Sequence, residues 1–292
     1  MKYKVLLLVG ALLSVPAQAE LDPNDPTDAM TISRKVQCSA TDGQAVTYNW
    51  FGNMYVRKAG QRDKKLFAIE GMNVRQCTAV SDEKRGDGYK MVSREIMLYK
   101  DPDTGEVLST WENPYTGETV DVLHVANDPV NFAQYETGRD GKPAQWPGVI
   151  EGATWRQQTT VPLFYPNPLA SEYQKQIGGT YHATEMFNFF GDSADLLSEE
   201  GATARTHVGW VRMSTWLPWM NMQGREGLLY VHASGKKLDS WDDLSETMKA
   251  EIYEYFPDYV APPPADDERR NETSWIYYKR IQDGERVAPK RD

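Results

Sequence analysis

Residues 20–292 are predicted to form one mainly β domain, a single antiparallel β-barrel of about ten strands with one late amphipathic helix. Three observations predict it. Short segments alternate apolar and polar residues, the period of a strand with one buried face. Each is bounded by Gly, Asn, Asp or Pro, which turn the chain. Only one stretch is well marked as a helix, so the βα alternation of a parallel sheet is missing.

In chain order, Val46 to Val56 comes first and puts Tyr48, Trp50, Met54 and Val56 on one face. Leu66 to Cys77 and Tyr89 to Tyr99 follow. Asp101-Pro102-Asp103-Thr104-Gly105 is then a turn, because Pro fixes φ and Gly accepts φ > 0. Asn113-Pro114-Tyr115-Thr116-Gly117 repeats that chemistry before a strand at Val120 to Ala126, which makes a meander of hairpins. Asn127 to Gly152 has no period and reads as a long loop, a candidate lid or rim. Ala153 to Tyr165 is a strand stopped by Pro166-Asn167-Pro168. Thr180 to Phe190 fits strand or helix, and its β-rich flanks favour strand. Thr206 to Met213 and Gly227 to Ser234 are further strands. Ser240 caps the helix, Trp241, Leu244, Met248, Ile252 and Tyr255 make its apolar stripe, and Pro257 ends it. Ser274 to Ile281 reads as the last strand. A closed ribbon of this lipocalin-like size removes exposed edges and is wide enough to hold a ligand.

The first 19 residues give an address. Lys2 and Lys4 precede an apolar run from Val5 to Val15, and Ala17-Gln18-Ala19 offers a small-x-small cleavage site. This is a signal peptide, residues 1–19, with the mature chain starting at Glu20. The run is too short to remain as a membrane span. The expected location is periplasmic or secreted, with no integral span after cleavage. Strands carrying Arg, Lys and Glu lack the lipid-facing apolar band of an outer-membrane barrel.

Without that leader the chain holds 30 basic against 42 acidic residues. A net negative surface argues against nucleic acid as a partner. Nine Trp and 16 Tyr suit a large core and a ligand cleft alike. Cys38 and Cys77 are the two cysteines, and in an oxidising compartment they pair most simply as one disulfide. They have neither CxxC spacing nor a neighbouring His for redox or metal work.

The densest cluster runs from Trp210 to Met220, with Trp210, Arg212, Trp216 and Trp219 within ten residues. Arg212 shares a strand face with Trp210, which sets a cation beside an indole, either as a buttress or as a binding wall for a carboxylate. Glu70, Glu95 and Glu185 are carboxylates in strands. Arg94 and Glu95 are neighbours on opposite faces, so one charge points inward. Glu185 alternates with Phe187 and Phe189, and burial among rings would raise its pKa toward acid/base work unless Arg212 or Arg94 pairs with it. Of the histidines His124, His182, His207 and His232, no two have the i, i+4 spacing of a zinc helix, and no metal site is expected. His124 and His207 are the candidates for joining Glu185 in catalysis. Phe190 to Asp195 (FGDSAD) is similar to the nucleophile block of GDS-type esterases. The Asp-x-x-His that chemistry needs downstream occurs only upstream, at Asp121 to His124, so a polar loop is the better reading. No nucleotide, flavin or phosphate loop occurs, and no cofactor is expected.

The strings FAIEGMNV (67–74), Ser93-Arg94-Glu95, LYKDPDTGEVLSTWENPYTGET (98–119), HVANDPVN (124–131), Tyr165-Pro166-Asn167-Pro168, Trp210-x-Arg212 with WLPWM (216–220), and NETSWIYY (271–278) resemble the bacterial domain-of-unknown-function family 1838. The resemblance covers nearly all of residues 20–292. It implies one full-length, often exported domain and carries no reaction or catalytic residue with it.

The functional expectation is therefore an exported, soluble β-barrel that binds a small apolar or aromatic molecule in an internal cavity. Trp50, Glu70, Arg94, Glu95, Trp210, Arg212, Trp216 and Trp219 are the candidate binding residues. A cofactor-free lyase, isomerase or hydrolase in the same cavity is the alternative, and a structural envelope module the third.

Overall fold

A computed structural model describes residues 20–166, 180–222 and 224–291. The leader and Asn167-Pro168 of the Pro-rich stop lie outside the described residues. The first element is a helix, α1 (Pro26–Gln37), in a stretch where no strand or helix was expected. Asp25 caps it by accepting from the N–H groups of Thr27 and Asp28, Pro26 opens it, and Arg34 and Lys35 sit in its last turn.

Among the described residues twelve strands follow. They are β1 (Val46–Arg57), β2 (Lys64–Asp82), β3 (Gly86–Lys100), β4 (Thr110–Glu112), β5 (Thr119–Asp121), β6 (Val125–Asn127), β7 (Phe132–Tyr135), β8 (Gly148–Glu151), β9 (Thr154–Pro166), β10 (Thr180–Asp192), β11 (His207–Ser214) and β12 (Leu228–Lys237). Three more helices are α2 (Ser193–Leu197), α3 (Glu246–Tyr255) and α4 (Ser274–Gln282). Ten strands form one sheet in the order β6-β3-β2-β1-β12-β11-β10-β9-β8, with β7 beside β3, and every pair is antiparallel. The early meander β1–β3 and the late one β9–β12 are joined by β1 lying along β12, Tyr48 opposite Lys237.

The predicted alternation holds. On the inner face Met54 and Val56 of β1 pack with Phe67 and Ile69 of β2, Met97 and Tyr99 of β3, and Leu229 and Val231 of β12. One end of this face is filled by Ile32 and Val36 of α1 against Tyr48, Phe189 and Val208. The other is filled by Trp216, Leu217, Trp219, Met220 and Met222. The outer face of β2 and β3 presents Met72, Val74, Ile96 and Leu98 to Met248 and Ile252 of α3 and to Tyr277 of α4.

Four expectations are corrected. Among the described residues the sheet does not close into a barrel: β8 at one end has no ladder to β6 or β7 at the other. The segment Ser274 to Ile281 is helix, not strand. Thr273 accepts from the Ile276 N–H, and the aromatic run satisfies two environments at once, with Trp275 and Tyr278 toward Tyr181 and Tyr277 and Ile281 toward α3. That split needs a period near 3.6. The late helix also starts later than its capping signal suggested. Ser240 caps only a 3-10 turn over Trp241–Asp243, and Ser245 caps α3 itself. The long loop at 127–152 is in part strand, holding β7 and β8.

Candidate functional site

Strand parity on the inner face sets the site. Trp50 on β1 stands opposite Gly71 of β2, and its indole lies across that bare glycine: a Cβ at position 71 would come 2.2 Å from the ring. Trp50 meets Trp210 edge-on at 6.0 Å between centroids, and Trp210 stacks with Phe187 at 6.3 Å. All three rings are only half-buried. A Gly71→Ala substitution is expected to expel Trp50, cost about 1–3 kcal/mol and shift tryptophan emission to the red. Urea unfolding and fluorescence check this; an unchanged spectrum would show that the indole does not depend on the glycine.

A polar group adjoins the rings. Arg212 on β11 stands opposite Glu185 on β10, and its Nε donates to Glu185 Oε1 at 3.1 Å. Its Nη1 donates to Ser214 Oγ at 2.9 Å and its Nη2 to the Tyr181 hydroxyl. The guanidinium thus takes the ion-pair alternative, and the Trp210 ring stacks on Phe187. Glu95 of β3 points to the same interior and accepts from Asn127 Nδ2 of β6 at 3.3 Å. Burial first, and the negative charge of Glu185 second, push the Glu95 carboxyl up to about 7. Arg75 of β2 and Arg212 oppose that rise. Glu95 and Glu185 are far apart along the ladder, so the sheet must curl to bring β3 across from β10 and β11. A carboxyl that titrates near neutrality inside a concave sheet is a functional-site signature.

An open cleft of about 610 Å³ lies beside this interior, between the ends of β6 and β9 and the helix α4. Tyr165 lines it, and the Tyr165 ring sits 5.0 Å from that of Tyr181, the partner of Arg212. Tyr165, Tyr181 and Arg212 thereby connect cleft and interior.

The structure brings Trp50, Glu95, Glu185, Trp210 and Arg212 to one face. Trp216 and Trp219 close one end of that face as core: the Trp216 Nε1 donates to the Arg225 carbonyl at 3.2 Å, and Trp219 packs on Phe67 and Tyr99. Glu70 and Arg94 lie on the opposite face. Glu70, 1 % exposed, pairs with Lys100 at 3.0 Å and accepts from the Ser245 hydroxyl, which anchors the start of α3. Arg94 donates to the carbonyls of Asp258 and Ala261 at 2.7 and 2.9 Å and pairs with Asp128.

The histidines do not join Glu185. His124 lies in the connection before β6; its Nδ1 accepts from the Tyr99 N–H at 3.0 Å and its Nε2 donates to the Leu108 carbonyl at 3.0 Å. Burial draws its pKa down to about 3, so it is a neutral cross-link between backbones. His207 is exposed on the outer face, stacked on Phe190. Ser193 begins α2 with its hydroxyl donating to the Gly152 carbonyl at 3.1 Å. Among the described residues no three His, Cys, Asp or Glu gather as metal ligands. Tyr181 and Asn127 are additions to the expected set. Tyr181 was legible as the residue four before Glu185 on one strand face; Asn127 was not, because only the β3–β6 ladder places it beside Glu95.

Fold and site together define a mainly β protein whose curled antiparallel sheet encloses rings and carboxylates on its inner face. The chain belongs to the family described as protein of unknown function (DUF1838), whose model matches residues 43–282. Among solved structures it is similar to a LolA superfamily protein from Nitrosomonas europaea. The likeness is at 8% identity, over 78% of this chain and 99% of that one, with a TM-score of 0.19. A score that low supports no argument. No curated protein matches the chain. Among the described residues no helix is long and apolar enough to cross a membrane.

Proposed function

We propose that this protein is exported and holds a small, largely apolar or aromatic molecule inside its curled sheet, which works as an open barrel. One observation carries the reading: Trp50, Phe187 and Trp210 are half-buried on a concave face, beside the interior carboxylates Glu95 and Glu185. Large rings that keep open surface on an inner face supply apolar contact to a guest, and a few polar groups beside them orient it. The Cys38–Cys77 disulfide fits an oxidising compartment.

Titration with the uncharged fluorescent probe phenylnaphthylamine tests binding. A Trp210→Ala variant is expected to bind it roughly tenfold more weakly, because one wall of the site is lost. Equal affinity in the variant would move the guest elsewhere. Native mass spectrometry of protein taken from the producing cell's envelope checks for a retained molecule, and N-terminal sequencing checks for a start at Glu20.

A second reading has its own support. A carboxyl raised to about 7 can exchange a proton near neutral pH, so Glu95 suits a cofactor-free acid/base reaction on the bound molecule. Glu185 is less free for that role, being held by Arg212. Turnover that disappears in Glu95→Gln while probe binding survives would favour this reading.

A further inference from the structure

The binding reading leaves open what polar group the guest carries, and the interior constrains it. Arg212 was the obvious seat for a carboxylate, yet each of its three guanidinium nitrogens already donates, to Glu185, Ser214 and Tyr181. An incoming acid would find only the second N–H of Nη1 and of Nη2, and would set its charge beside Glu185 and Glu95. Such burial of unpaired like charge is costly.

Beside the unpartnered indole N–H groups of Trp50 and Trp210, two vacant valences on this face are acceptors. Glu95 makes no ion pair among the described residues, and its Oε1 accepts from the Asn127 amide at 3.3 Å. Asn127 is 8 % exposed, and its Oδ1 is buried without a partner. A carboxylate oxygen and an amide oxygen side by side both call for a donor. Trp50, Trp210 and Phe187 on the same face add ring surfaces that attract a cation. From this geometry, and resting on the interior-binding reading above, we infer that the guest is an organic amine: an apolar or aromatic body bearing a protonated nitrogen that donates to Glu95 and Asn127.

The charged groups facing Glu95 are Glu185 from β10, Arg212 from β11 and Arg75 from β2. Arg212 is committed to Glu185. Arg75 donates to Asn73 at 2.7 Å and to Gln37 of α1 at 2.9 Å, and lies over the Tyr48 ring. Neither arginine bonds to Glu95. Because burial and Glu185 hold the Glu95 proton on up to about 7, a cation that needs the carboxylate must displace that proton. Amine affinity therefore rises as pH climbs through neutrality.

Three probes of similar size and different charge test this on the full chain: phenethylamine, phenethyl alcohol and hydrocinnamate, compared by calorimetric titration just above neutral pH. The amine is expected to bind about tenfold more tightly than the alcohol, with the acid weakest. Glu95→Gln should remove the amine's advantage over the alcohol together with its pH dependence. The wild-type series decides the matter even if that variant does not fold. An acid or alcohol that binds as well as the amine overturns the inference and leaves the cavity reading standing. Failure of all three probes to bind overturns the cavity reading and the inference with it.

Discussion

Replacing Cys38 and Cys77 together by alanine is expected to lower the unfolding free energy by about 4 kcal/mol. The bond joins residues 39 apart in sequence, and cutting it returns the closure entropy of that loop to the unfolded chain. Cys38 ends α1 and Cys77 lies within β2, so the bridge pins α1 to the sheet it helps to fill. Both residues are fully buried beside Val46, Tyr89 and Met91. Reductant should therefore act slowly on the folded protein and quickly once denaturant opens it. Urea unfolding of the variant against the wild type measures the loss, and the same shift should appear when the wild type is unfolded under reductant. A difference below about 0.5 kcal/mol would mean that the bridge is an oxidation product with no part in stability.

The pH profile of stability is the second large effect, and it comes from two buried groups that pull in opposite directions. His124 has a pKa drawn down from 6.5 to about 3. Between those values the unfolded chain binds a proton that the native ring refuses, because burial disfavours the charged imidazole. Its contribution is complete above pH 6.5 and is lost as the pH falls below that, by roughly 1 kcal/mol per unit. Glu95 has a pKa raised from 4.5 to about 7. Between those values the native state keeps a proton that the unfolded chain has released. Its contribution is complete below pH 4.5 and is lost as the pH rises toward 7, at a similar rate.

From pH 4.5 to 6.5 the two slopes offset each other, and below 4.5 only the histidine of this pair still contributes a slope. His124→Gln is expected to abolish that slope and expose a stability that falls as pH rises. Glu95→Gln should leave the opposite trend, a stability rising steadily to pH 6.5. Carboxylates held low by partners, such as Asp42 beside Arg34 and Asp267 beside Arg269, add acid sensitivity common to all three proteins. The comparison therefore rests on differences in slope between urea midpoints, not on their absolute values. If His124→Gln keeps the wild-type slope in acid, the ring is protonated in the native state and the account of its two backbone bonds is mistaken.

Much of the site was legible one strand at a time. Alternation put Trp50 with Met54, set Glu185 in step with Phe187 and Arg212 with Trp210, and sent Glu95 and Arg94 to opposite faces. The two cysteines could be paired from their number and the compartment expected for the chain. These are local or counting arguments, and a strand's period of two holds whatever surrounds it. Which of two adjacent charges faces inward is another matter, and it left Glu70 and Arg94 among the candidates until α3 and the segment after it were seen to cover their side.

Helix against strand at Ser274 to Ile281 was undecidable locally, because a short aromatic run suits both periods until its two partners are known. Closure likewise depends on the summed twist and coil of ten strands, which no segment encodes by itself. The sequence alone thus determined the long strands of the main sheet, the faces of their side chains, the disulfide pair and the family. Only the tertiary structure decided that among the described residues the sheet stays open, that α1 fills one end, and that Glu95 shares an interior with Glu185 and Arg212 and feels their charges. Those relations join residues far apart in the chain, and their geometry follows from the curl of the whole sheet.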